Sequence, residues 1–258
     1  MKKSREVFGL NFSLLNENEI SNLVVSEIPD PNEFRLLVTT NTDHVVNMSK
    51  FIEFEDACKG AWLVTADGFP VAAVLKFLGV DISGRITGAD LFPAIINSLD
   101  PKEHRPFFVC STEKTAKFFI DFLEENNFLL SSDCVYVPEF GFEMNENKTN
   151  DLINKIIKSK TTHLFFGVGS PKSELWMSRH QDKLKGLYGF GFGAGLDFFS
   201  GTAKRAPAWM QKYCMEWLWR LASDPKRMFK RYLINSWSFL YIAFSEIKRF
   251  RSARNEYK

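Results

Sequence analysis

Short apolar runs alternate along this chain with segments whose apolar residues recur every three to four positions. The runs at 34–39, 61–65, 107–110, 134–137, 163–168 and 188–192 are rich in Val, Phe, Leu and Tyr and are bounded by polar or glycine-containing stretches, which predicts strands. Helical spacing occupies 42–57, 69–78, 88–98, 113–127, 147–159 and 172–184. A further strand or hairpin is predicted at 7–12. Strand followed by helix, repeated along the chain, predicts an α/β fold: a Rossmann-like, largely parallel sheet with helices on both faces. Ligands of such sheets collect beyond the carboxyl ends of the strands. There the sequence puts Thr39-Thr40-Asn41, Ala66-Asp67-Gly68, Pro138-Glu139-Phe140-Gly141, the segment 167–171 and the glycine-rich 191–195.

Charge divides the 258 residues at about position 204. Residues 204–258 carry 13 Lys/Arg against 4 Asp/Glu, whereas residues 1–203 carry 20 against 27. Two units are therefore expected, an α/β catalytic domain over 1–203 and a basic, aromatic helical appendage over 204–258. Within the appendage a Ser223-Asp224-Pro225 break is expected to cap the last helix, on which Arg227, Lys230 and Arg231 share one face at i, i+3 and i+4 spacing. A solvated basic face is one reading of that spacing. The interleaved Trp217, Trp219, Phe229, Tyr232, Trp237, Phe239 and Tyr241 favour the other, an anionic surface with an apolar layer behind it: a phospholipid leaflet or a lipid-linked diphosphate. The longest uncharged stretch there, 232–244, has 13 residues, short of the roughly 20 that a spanning helix needs. The N-terminal residues lack the sustained apolar core and cleavage site of a signal peptide.

Several chemistries find no support. Cys58, Cys110, Cys134 and Cys214 form no CxxC pair and read as buried free thiols of a reducing compartment. His44, His104, His163 and His180 are scattered without ligand spacing, no Asp-x-Asp is present, and neither a dinucleotide Gly-x-Gly-x-x-Gly nor a Walker motif is completed. No metal and no cofactor are expected. Two loops keep a plain and a sharp reading side by side. Asp67 before Gly68 suits a turn or helix cap, or a general base at a strand end. The stretch from Gly167 through Gly169 to Lys172 and Ser173 suits a turn, or an anion held by backbone amides at a helix N-terminus.

Seven segments, in order, resemble the WecG/TagA/CpsF glycosyltransferases (glycosyltransferase family 26) from about Phe8 to Tyr232. They are Thr-Thr-Asn-Thr-Asp-His-Val at 39–45, Ala-Asp-Gly-Phe-Pro at 66–70, Arg-Ile-Thr-Gly-Ala-Asp-Leu at 85–91, Gly-Val-Gly-Ser-Pro-Lys-Ser-Glu at 167–174, Gly-Ala-Gly-Leu-Asp-Phe-Phe-Ser-Gly at 193–201 running into Arg205-Ala206-Pro207, Glu-Trp-Leu-Trp-Arg-Leu at 216–221, and Asp-Pro-Lys-Arg at 224–227. The resemblance implies metal-independent, inverting transfer of a hexose, commonly N-acetylmannosamine or its uronic acid, from a UDP-sugar to a sugar on undecaprenyl diphosphate, in bacterial surface polysaccharide synthesis. It makes Asp67 the counterpart of the family's base. Thr39, Asn41 and Arg85 fall near the sugar nucleotide, with Gly141, Gly169, Lys172 and Ser173 as further substrate-binding positions. Arg205, Arg220, Arg227, Lys230 and Arg231 become the cations that meet the lipid diphosphate. The tail becomes a peripheral membrane-docking appendage at the cytoplasmic leaflet, with no nucleic acid involved and homo-oligomerisation left open. Ser173 stands where the family commonly has glutamine. The competing expectation is a non-enzymatic membrane-surface or nucleic-acid binding module built on the cationic tail.

Overall fold

In the computed structural model, residues 6–129, 132–213, 215–223 and 225–256 are described; the side chains of 226–234 and 253–256 lie outside that description, as does Cys214. The chain opens with an antiparallel hairpin, β1 (Glu6–Val7) and β2 (Leu10–Asn11). Then follow α1 (Glu17–Ser26), β3 (Phe34–Thr40), α2 (Thr42–Met48), α3 (Ile52–Lys59), β4 (Leu63–Ala66), α4 (Phe69–Phe77), α5 (Gly88–Ile96), β5 (Pro106–Val109), α6 (Glu113–Glu125), β6 (Val135–Tyr136), α7 (Glu146–Lys158), β7 (His163–Phe166), α8 (Lys172–Arg179), β8 (Leu187–Gly191) and α9 (Ala194–Phe199). Three helices close the chain: α10 (Ala208–Lys212), α11 (Glu216–Ser223) and α12 (Pro225–Glu256).

The six main strands form one parallel sheet in the order β4-β3-β8-β7-β5-β6. Every residue of β4, β5 and β7 is buried, as it must be when helices cover both faces and neither side of the pleat meets water. The expected α/β, Rossmann-like sheet is the one observed, with each expected strand present. Phenylalanine supplies much of the core: Phe108 stacks on Phe119 at 4.2 Å, while Phe92 meets Phe165 and Phe199 edge-on at 5.1 and 5.2 Å. From β5 the chain leaves toward β6, whereas from β7 it leaves toward β8 on the opposite side. The crevice of a doubly wound sheet therefore opens between the carboxyl ends of β5 and β7.

Local chemistry departs from the expected elements in four places. The helix expected over 42–57 is two helices, because the Ser49 hydroxyl donates to the Val46 carbonyl and the chain turns before Phe51 starts α3. The helix expected over 172–184 ends at Arg179, followed by a 3-10 turn at Gln181–Lys183. Helix α1 was not expected; a capping box starts it, with Asn16 accepting from the Glu19 amide and Glu19 from the Asn16 amide. The Ser223 hydroxyl, expected at the start of the last helix, donates back to the Trp219 carbonyl and closes α11; the residue between, Asp224, lies outside the described residues.

Helix α12 lies against α2 and the N-terminal hairpin. Asn235 donates to the Asp43 carboxylate at 2.9 Å, Phe239 packs on Phe8 at 5.9 Å, and the Phe8 amide donates to buried Glu246 at 2.9 Å. Phe239 and Ala243 belong to the hydrophobic core. Phe239 is therefore not one of the membrane-facing aromatics that its sequence context suggested. Trp237, Leu240, Tyr241 and Phe244 are the exposed face of the same helix.

Candidate active site

Asp67 follows the last residue of β4, where its amide donates to the Thr40 carbonyl across the sheet. It does not cap α4; that helix starts at Gly68 without a side-chain cap. Burial pushes the Asp67 carboxyl up to about 6, against the pull of Arg220, then Arg85, then His44, with Glu216 adding to the rise. Four elements thus converge on one carboxyl: the β4 end, the 85–91 segment, α2 and α11. Arg85 also pairs with Glu216 at 2.8 Å, which ties α11 down over the sheet edge. Asp67, Arg85 and Arg220, expected from separate motifs, are brought together.

Thr39, Thr40 and Asn41 end β3 beside it. Thr39 and Thr40 are buried, and among the described residues the Thr40 hydroxyl has no hydrogen-bond partner. Asn41 caps α2, its Oδ1 accepting from the amides of Asp43 and His44 at 2.9 and 3.2 Å. His44 Nδ1 lies 3.0 Å from the same oxygen, and His44 Nε2 lies 3.2 Å from Oε1 of Glu174, which is 1% exposed. Gly191, at the end of β8, makes room for this carboxylate: a Cβ there would stand 2.9 Å from Glu174 Oε1. Gly88 and Gly195 likewise let α5 and α9 approach closely, because a Cβ on Gly195 would stand 3.2 Å from the Gly88 carbonyl.

At the β7 end, Gly169 precedes α8, whose first turn has no side-chain cap and leaves amides to serve an anion. Lys172 is turned aside, paired with Glu143 at 2.8 Å and lying 4.6 Å over the ring of Phe140. Burial would lift the Glu143 carboxyl, but Lys172 and a backbone amide hold it below the ordinary carboxylate range. The Ser173 hydroxyl donates to the Gly169 carbonyl at 3.1 Å and is buried, so it faces its own loop. Gly141 starts the 3-10 turn Phe142–Met144 beside fully exposed Phe140. In the β5–β7 crevice itself, Ser111 and Thr115 both donate to Asp197 Oδ1 at 2.8 Å, and Thr115 also meets Thr202 at 3.0 Å.

The tail cations divide. Arg220 reaches the Asp67 locus and sits 6.0 Å from the Phe198 ring centroid. Arg205 instead pairs with Asp90 at 2.6 Å, which Thr87 also supports at 2.7 Å. The side chains of Arg227, Lys230 and Arg231 lie outside the described residues. Sequence reasoning missed Glu174, His44, Asp197 and Glu216, which act across the fold. All four lie inside the recognised motifs, and that position is the one signal that could have flagged them. Among the described residues no three His, Cys, Asp or Glu side chains are grouped to hold a metal ion. Cys58, Cys110 and Cys134 are buried free thiols.

A Rossmann-like sheet with a carboxyl of raised pKa set among arginines at its carboxyl edge defines an α/β group-transfer enzyme. The chain belongs to the Glycosyl transferase WecG/TagA/CpsF family, whose profile matches residues 5–253. It is 26% identical over 199 residues to the N-acetylglucosaminyldiphosphoundecaprenol N-acetyl-beta-D-mannosaminyltransferase of Bacillus spizizenii, covering 77% of this chain and 75% of that one. To the protein of the same name from Staphylococcus aureus strain MW2 it is 22% identical over 224 residues, 86% of each chain.

Proposed function

We propose that this protein is an inverting, metal-independent glycosyltransferase that moves a hexose from a UDP-sugar to a sugar on polyprenyl diphosphate in bacterial surface polysaccharide synthesis. The observation that carries the reading is Asp67, a carboxyl whose pKa is raised to about 6 between Arg85 and Arg220 at a strand end. At neutral pH it is ionised yet basic enough to accept a proton. The Asp67 carboxylate takes the proton of the acceptor hydroxyl, the hydroxyl oxygen attacks the anomeric carbon from the face opposite UDP, and the bond to the UDP oxygen breaks. One displacement inverts the centre. Negative charge growing on UDP would meet the amides at the start of α8, while Arg220, Arg227, Lys230 and Arg231 are the cations assigned to the acceptor diphosphate. Gly141 and the crevice between β5 and β7 offer room for the nucleoside.

The names of the relatives support N-acetylmannosamine as donor sugar and undecaprenyl-diphosphate-linked N-acetylglucosamine as acceptor. Ser173 turns its hydroxyl onto Gly169, so it contributes volume rather than a hydrogen bond to the donor sugar. No helix among the described residues is long and apolar enough to cross a membrane. The exposed Trp237, Leu240, Tyr241 and Phe244 with Lys248 and Arg251 fit peripheral docking on the leaflet that holds the acceptor. The test is UDP release from a panel of UDP-sugars with a short-chain lipid-diphosphate N-acetylglucosamine acceptor, with product anomeric configuration read by NMR. Release that ignores the acceptor, or a retained configuration, would refute the reading.

A further inference from the structure

Asn41 Oδ1 accepts two backbone amides, so it is the amide oxygen and has no proton to give. His44 Nδ1, 3.0 Å from that oxygen, must then be the protonated ring nitrogen. With Nδ1 protonated, a neutral ring presents bare Nε2 to Glu174 Oε1 at 3.2 Å, where two acceptors would repel. One proton must therefore lie between them, on Nε2 or on Oε1. The second oxygen, Glu174 Oε2, is buried without a partner among the described residues, so Oε1 is the oxygen that holds the shared proton with His44. Gly191 leaves the space that lets Glu174 sit so close to the sheet. The chain Glu174–His44–Asn41 thus fixes the amide of Asn41 with its oxygen inward. Its Nδ2 has no hydrogen-bond partner among the described residues, and the residue is partly exposed at the carboxyl edge one step from the Thr40–Asp67 backbone bond.

We infer that His44 and Glu174 are positioning residues that lock the Asn41 amide so that its two Nδ2 hydrogens point at the donor sugar nucleotide. The inference rests on the reading of Asn41 as a ligand-facing residue of a UDP-sugar transferase. Without the lock, only the Asp43 and His44 amides hold the oxygen inward, and the amide turns more readily to present an acceptor to an oxygen-rich ligand.

The substitutions sort by which hydrogen bond survives. Asn41→Ala is expected to raise the KM for UDP-N-acetylmannosamine about tenfold, the loss of one or two modest hydrogen bonds. His44→Gln, which reaches Glu174 but gives Asn41 no donor, should raise it by the same factor, whereas His44→Asn, which keeps a donor at the Nδ1 position, should restore it to within about threefold. Glu174→Gln can donate to Nε2 and should also stay within about threefold. In the Asn41→Ala background, His44→Gln should add nothing. If instead it adds the same loss in both backgrounds, or leaves the KM unchanged with Asn41 intact, the inference is overturned. If Asn41→Ala is silent while Asp67→Asn still abolishes transfer, the ligand role of Asn41 falls and takes this inference with it, leaving the transferase reading standing. Long-range proton–nitrogen NMR of the unmutated protein tests the lock without any variant: Nδ1 of His44 should carry a proton, and a bare Nδ1 would overturn the assignment.

Discussion

Asp67 joins two opposing demands in one side chain. Burial raises its pKa from the ordinary 3.8 to about 6, so the folded chain binds this proton more tightly than the unfolded chain does. Stability therefore falls as pH rises between those values, and above them the ionised form costs the fold about 3 kcal/mol. The proposed role as general base needs that ionised form. Transfer by the wild type should rise with pH through about 6, and Asp67→Asn should lower it by about 10²-fold or more. The same substitution should raise the melting temperature at pH 8 and leave it nearly unchanged near pH 4. A pair of pH series, one of rates and one of melting temperatures, checks both; an Asp67→Asn enzyme with transfer within twofold of wild type would remove this residue from the mechanism.

Among the elements, α1 and α12 are held by contacts that no local pattern announces. Neutral histidines hold the carboxyl end of α1: His163 Nε2 donates to the Val24 carbonyl at 2.9 Å and His104 Nε2 to Val25 at 3.1 Å. Burial pushes His163 down to about 3, so the folded chain refuses a proton that the unfolded chain accepts below 6.5. Its contribution is full above 6.5 and is lost as pH falls toward 3, at up to about 1.4 kcal/mol per pH unit. Urea midpoints at pH 7.5 and 5 should converge for His163→Leu relative to wild type. Helix α12 has two faces, one buried in the core and one exposed and proposed for docking. Phe239→Ala should destabilise by about 3–5 kcal/mol, because the ring is core. Trp237→Ser with Tyr241→Ser should leave the melting temperature within a few degrees yet weaken sedimentation with anionic liposomes. Removing everything after Asn235 would strip Phe239, Ala243 and Glu246 from the core, so truncation alone reports unfolding as well as docking.

Over the whole molecule, an acidic body and a basic tail meet at the carboxyl edge that holds Asp67. Residues 1–203 hold the carboxyl, and α11 of the tail supplies Arg220 and Glu216 to it. The proposed diphosphate stabilisation by arginines and helix amides needs no divalent ion, so transfer should persist in excess EDTA at the untreated rate. Activity that disappears and returns only with manganese or magnesium would contradict this arrangement. The charge boundary near residue 204 is proposed as a functional division, with α11 and α12 forming the membrane-docking appendage. In the fold, its last helix is stitched back to the N-terminal hairpin through Phe8 and Glu246.

Apolar runs and their turns determined the six parallel strands, because a strand buried on both faces is mostly apolar, and that composition is visible residue by residue. Asp67, Arg85 and Arg220 were legible as separate chemical words, each a charged residue at a loop or helix end inside a recognisable motif. Their convergence was not legible, since 153 positions separate Asp67 from Arg220 and only the sheet order and the return of α11 close that distance. The His44–Glu174 contact was invisible for the same reason: the two residues lie 130 positions apart and meet because α2 and α8 both start close to Gly191. The aromatic tail announced its composition but not which face would be core, because a helix with apolar residues all round is assigned a buried side only by the surface it packs against. Periodicity fixes what a segment is; the neighbours brought by the fold fix which of its residues are buried, charged or free to act.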